Sequence, residues 1–187
     1  MEIAKLTLEI INTFAILSGA VMAFVGVNAW KKQLKGSTEY ELAKRYLKAV
    51  YKIRDAIKYV RNPFISIDEM AVALKENGIE KPDYSNNQQT NRAVYSIRWK
   101  KVMEARTNLD VELLEAEVLW GKVAVDVVDD LNARINKLYV SLKMFLEERN
   151  IKPDRDIIYD MGDQDTFNHE VKKAIKKIEF FIKPHLR

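Results

Sequence analysis

Few side chains in this sequence are of types that run chemistry, and their spacing decides what they can do. The 187 residues contain two histidines, His169 and His185, and no cysteine. His169 precedes Glu170, but no second histidine follows at the four-residue interval of a helical metal site. Asp160, Asp163 and Asp165 resemble a fragment of a calcium loop, yet the glycine and the closing glutamate of such a loop are out of place. The acids Asp110, Glu112, Glu115, Glu117, Asp126, Asp129 and Asp130 fall in stretches of helical periodicity, where carboxylates ordinarily face water. No phosphate loop, dinucleotide glycine pattern or nucleophile elbow occurs. The residues therefore read as those of a non-enzymatic chain without cofactor or metal. The lack of cysteine excludes disulfides and thiolate metal sites and agrees with a reducing compartment.

One arrangement invites a catalytic comparison. Arg149-Asn150 closes a long helical pattern and is followed by a linker containing Pro153 and by a basic final helix. The pair resembles the Arg-x4–6-His motif of HEPN-type helical ribonucleases, in which an Arg-Asn pair and a histidine meet at a helix end. Asp154 stands at the sixth position of that window, where the motif has histidine. Cleavage of RNA needs an imidazole as acid or base near neutral pH, and an ordinary carboxylate does not donate there. On chemical grounds Arg149 reads instead as a cation stabilising a helix C-terminus.

The element around which the chain is organised is Ile10 to Trp30, IINTFAILSGAVMAFVGVNAW, which has no charged residue and is followed by Lys31 and Lys32. At ~1.5 Å per residue it spans about 30 Å, the thickness of a bilayer's hydrocarbon core. A cleaved signal peptide would want a basic leader and a shorter apolar core, whereas Glu2 and Glu9 outweigh Lys5 here. The segment is read as a transmembrane helix, with residues 1–35 as anchor and 36–187 as one all-α cytosolic domain. Ten Lys and Arg between Lys31 and Arg61, against one before the span, place that domain on the cytoplasmic side of the inner membrane.

On a helical net Asn12, Ala15, Gly19, Ala23 and Gly26 share one stripe, while Phe14, Leu17, Val21, Phe24 and Val25 lie mostly opposite. Small residues let helix backbones approach in lipid, and a polar side chain can bond across the seam. A chain with one span finds such a partner in its own copies, so the stripe predicts a homo-oligomer. A ring of these helices would enclose a path through the bilayer, with Asn12, Thr13 and Asn28 as candidates to face water.

The domain reads as helices throughout. Thr38 and Glu41, spaced as a capping box after Gly36, predict a helix start that runs to Arg61 and stops at Asn62-Pro63. Further helices are expected at about Asp68–Asn77, from about Thr90 to Gly121, at about Val123–Arg149 and at about Asp163–Ile182, with loops at 79–89 and 150–162. Gly121 is either a turn or a kink, since a lone glycine costs only ~1 kcal/mol inside a helix.

Residues 31–62 carry ten bases and three acids, residues 63–163 carry 14 bases and 19 acids, and residues 164–187 turn positive again. Lys31, Lys32, Lys35, Lys44 and Arg45 form a basic neck, and each such cation near anionic lipid contributes about 1 kcal/mol. Docking to the inner leaflet is the economical reading; nucleic acid, stacked on Tyr46, Tyr51 and Trp99, is the less favoured one.

One span, a basic neck (WKKQLKG…TEYELAKRYLKAVYKIRDAIKYVRNPF) and an all-α domain with a divergent HEPN-like arrangement resemble a known group. They look like the small accessory membrane proteins that accompany the RNA-guided ribonuclease of type VI-B CRISPR systems, and related bacterial membrane-anchored proteins. The motif-grade residues of the resemblance are Arg149 and Asn150. It implies a ring-shaped oligomer whose N-terminal helices form a membrane pore, which supports antiphage defence and acts with the RNA-guided ribonuclease. Asp154 departs from the expected histidine and argues further against a nuclease role. The rival readings are a membrane-tethered scaffold for a cytosolic partner and a tethered RNA-binding module.

Overall fold

The computed structural model describes residues 2–79, 86–147 and 154–186; the side chains of 2–4, 6–11 and 163 lie outside that description. Among the described residues every regular element is helical. The expected all-α class is therefore what the chain adopts.

Helix α1 runs unbroken from Glu2 to Val60, 59 residues. The break predicted at Gly36 does not occur. A lone glycine is tolerated within a helix at ~1 kcal/mol. The Thr38 hydroxyl does not cap a new start but turns back to donate to the Leu34 carbonyl at 3.0 Å, an ordinary mid-helix bond. The predicted stop is correct. Arg61 N–H still reaches the Ile57 carbonyl at 3.1 Å, and Pro63 has no N–H to continue the ladder.

Helix α2 (Ile67–Glu76) starts at Ser66, whose hydroxyl accepts the Glu69 N–H at 3.1 Å, and stops before Gly78, at φ +75°. Helix α3 (Asn87–Trp120) begins three residues earlier than its apolar pattern predicts, because the Asn86 side chain caps Gln89 N–H at 3.1 Å. It ends at Gly121, with φ +75° and ψ −174°, a conformation essentially confined to glycine. Gly121 is thus a turn and not a kink.

The expected single helix after it is split. Helix α4 (Val123–Asp126) and helix α5 (Asp129–Leu146) are separated at Val127-Val128, where Val128 N–H bonds three residues back, to Val125, at 3.1 Å. Helix α6 (Arg155–Ile158) is a single turn within the predicted loop, and helix α7 (Thr166–Ile182), capped by Asp165, starts three residues later than expected. A 3-10 turn, Lys183–Leu186, follows.

The contacts divide the chain after Glu41 into residues 1–41 and 42–187. The second unit has one main core. Leu42, Tyr46, Val50, Ile53, Ile57 and Val60 of α1 meet Val102, Leu109 and Leu113 of α3, Leu131, Ile135 and Leu138 of α5, and Phe167, Val171 and Ile178 of α7. Ala73, Leu74, Ala93 and Val94 form a smaller cluster where α2 lies on α3, with Ile97 packed against it. Leu119, near the end of α3, is exposed. The Tyr46 hydroxyl donates to the Ala124 carbonyl at 2.7 Å, which fixes the turn after Gly121. A Cβ at Gly121 would meet no atom within 4 Å, but Gly121→Ala must hold a φ of +75° and should destabilise the unit by about 1–3 kcal/mol, read as a lowered melting temperature of the full chain in detergent.

Candidate functional site

From Asn12 to Trp30 every side chain of α1 is exposed. Nine of them are large and apolar: Phe14, Ile16, Leu17, Val21, Met22, Phe24, Val25, Val27 and Trp30, with Met22 at 73% and Trp30 at 68% exposure. Leaving such a side chain in water instead of burying it costs ~1.5–3 kcal/mol. Nine together amount to on the order of 20 kcal/mol, more than the ~5–15 kcal/mol that holds a domain folded. An 18-residue window of this helix has mean hydropathy 1.6 and none of it is buried. The helix is long and apolar enough to cross a membrane.

The small-residue face is open. A methyl group added at Gly19 or Gly26 would meet no atom within 4 Å. Asn12, Ala15 and Ala23 are exposed on the same side. The Ser18 hydroxyl donates to the Ala15 carbonyl at 3.0 Å, so it is satisfied within the helix and needs no water.

The basic neck is not uniform. Lys31, Lys32, Lys35 and Lys44 are exposed, and Lys35 Nζ lies 3.7 Å from Glu39 Oε1. Arg45, also exposed, donates to Glu112 Oε2 at 2.9 Å and to Glu115, both on α3. Its guanidinium ties α1 to α3, and those bonds to Glu112 and Glu115 raise its pKa further.

Arg149 and Asn150 lie outside the described residues. Asp154 is the N-cap residue of α6 and is exposed, and its backbone carbonyl accepts Ile157 N–H at 3.1 Å. His185 stacks on Trp120 at 4.3 Å between ring centroids and lies 5.9 Å from the Phe181 ring. Of the calcium-loop fragment, Asp165 is buried and engaged by protein donors, and Asp160 Oδ1 accepts Gly162 N–H at 3.1 Å. Among the described residues no cluster of three metal-ligating side chains forms.

Two buried guanidinium groups went unnoticed in the residue pattern. Arg98, on α3, is fully buried. Its Nε and Nη2 grip both Glu69 oxygens at 2.7 and 2.8 Å, and Nη1 and Nη2 donate to the Asn62 and Phe64 carbonyls at 2.5 and 2.7 Å. Arg61, on the last turn leaving α1, donates to the Ile157, Asp156 and Tyr159 carbonyls and to Asp165 Oδ2 at 2.5–2.8 Å. Each replaces water with protein acceptors where the chain leaves α1 and where α6 meets α7, so both position backbone and neither is presented to a substrate. A signal existed. Arg98 falls in phase with Val94, Val102 and Ala105, a charge on an otherwise inward stripe.

The Arg98 guanidinium holds the Glu69 carboxyl below its usual pKa, helped by the Tyr59 hydroxyl. Burial opposes ionisation of Asp165, but the Asn168 and Met161 N–H groups and Arg61 overcome it and hold that carboxyl low as well. Carboxyls depressed on folding add stability above their unfolded-state values of about 4, and lose it as pH falls from about 5 through their folded-state values. Urea midpoints should therefore drop between pH 6 and pH 3, and Glu69→Gln should be less stable at pH 6 with a shallower acid limb. Arg98→Ala leaves Glu69 and two carbonyls without their donor and should cost about 3–5 kcal/mol, with Lys unable to restore the fork.

Compared with known proteins, the chain has no match: no family model, no curated protein and no solved structure corresponds to it.

Proposed function

We propose that this chain is a single-pass protein of the cell inner membrane, with its helical domain in the cytoplasm, and that copies assemble into a membrane-permeating effector. The observation that carries the reading is the run of nine exposed large apolar side chains on α1. Lipid removes that surface from water without any protein core. Lys31 and Lys32 directly after the span set the orientation. Self-association rests on the open face of Asn12, Ala15, Gly19, Ala23 and Gly26, where backbones can approach. The resemblance to CRISPR-associated accessory membrane proteins extends the proposal to a pore that supports antiphage defence, alongside an RNA-guided ribonuclease.

The test is made on the full-length protein. In mild detergent its mass should correspond to several copies of the 21.7 kDa chain, and cells expressing it should lose membrane potential. Replacing residues 10–30 by an unrelated apolar span should keep the protein in the membrane and abolish the ion flux. Gly19→Leu with Ala23→Leu should do the same. A strictly single copy per micelle would refute the proposal. Activity surviving the swapped span would turn it into the scaffold reading, in which the anchor only tethers.

A further inference from the structure

The outer face of α3 is apolar along its centre and acidic along its edges. Met103, Val111, Leu114 and Val118 are all exposed, with Val118 at 83%. Their spacing of eight, three and four residues, with exposed Thr107 filling the gap, sets them in one stripe along the helix. Asp110 and Glu117 flank the stripe on one side and Glu104 on the other, all exposed. From Met103 to Trp120 the helix holds five acids and one base, Arg106; Glu112 and Glu115 are taken by Arg45 of α1, which leaves Glu104, Asp110 and Glu117 for this face. At the upper end of the stripe a shallow depression is lined by Trp99, Lys100, Met103 and Thr107.

Helix α7 carries the opposite pattern. Phe180 is 81% exposed, and Lys173, Lys176 and Lys177 lie around it on the same face at spacings of seven, four and three residues; Lys177 is paired with Asp130 Oδ2 at 2.9 Å, so Lys173 and Lys176 carry the charge this face offers. Large apolar stripes rimmed by charge mark interaction surfaces, and a projecting aromatic side chain is the usual anchor of one.

We propose that the acidic, apolar-striped face of α3 docks onto the lysine-ringed Phe180 face of α7 from a second copy of the chain. Charge complementarity selects this pairing. Two α3 faces brought together would set Asp110 and Glu117 against their like, and two α7 faces would set lysine against lysine, each costly. The favourable contact is head-to-tail, with different surfaces of one chain meeting different neighbours. Such an interface propagates and yields a ring if its rotation closes. The inference deepens the homo-oligomeric reading above and rests on it, by assigning the cytosolic contact.

The experiment reads the mass of full-length protein in detergent, with helicity by circular dichroism to confirm that each surface variant folds. Lys173→Glu with Lys176→Glu alone should lower the assembled mass, as should Asp110→Lys with Glu117→Lys alone. Mixing the two double variants should restore the assembled mass, because every contact then pairs opposite charges. All four changes in one chain should restore it too. If the wild type assembles but the reversals leave its mass unchanged, this interface is wrong and the homo-oligomer stands. If the reversals disperse it and neither mixing nor combination recovers it, the pairing is wrong. If the α7 reversals alter only binding to anionic vesicles, that face serves lipid and the proposal fails. A single-copy wild type removes the underlying reading itself.

Discussion

The physical constraint behind this molecule is an apolar surface without a core to cover it. Between Asn12 and Trp30 no side chain of α1 is buried, and the segment has no charge with which to hold water. The cost of leaving nine large apolar groups in water exceeds what ordinary domain stability can offset. A medium as apolar as those side chains would resolve the imbalance, and a helix satisfies its own backbone groups in the one way lipid permits for a single segment. The Ser18 hydroxyl fits such a medium, since it bonds to the Ala15 carbonyl.

Residues 42–187 follow different rules. Their core is made of inward stripes of α1, α3, α5 and α7, and two arginines fix its corners. Arg98 clamps the chain leaving α1 against α2, and Arg61 clamps α6 and the cap of α7. Both are saturated with acceptors, which is how a buried cation becomes tolerable. Charge is uneven on the outside of this unit, with acids along the second half of α3 and lysines along α7, while Arg45 links α1 to α3.

Much of the fold was legible in the residues. The apolar period located every long helix, and the ends marked by Asn62-Pro63, Gly78 and Gly121 are where helices stop. Legibility failed where local signals compete. Thr38 and Glu41 look like a cap after Gly36, but a helix already under way continues through a single glycine and absorbs the hydroxyl by back-bonding. Asn86 was read as loop, although one side-chain oxygen suffices to start α3 early. The Val127-Val128 division has no composition signature, because it follows from Tyr46 bonding to Ala124 across the core. Of the candidate site residues, the open small face of α1 follows from spacing alone. The engagement of Arg45 by Glu112 and Glu115, 67 and 70 positions away, does not, since it depends on how two distant helices pack.

That residues 10–30 of α1 lie in lipid is tested most directly by the fate of the full-length protein when cell membranes are washed at alkaline pH. The chain should stay with the lipid pellet and be freed only by detergent. Recovery of the folded protein in the aqueous wash would contradict it.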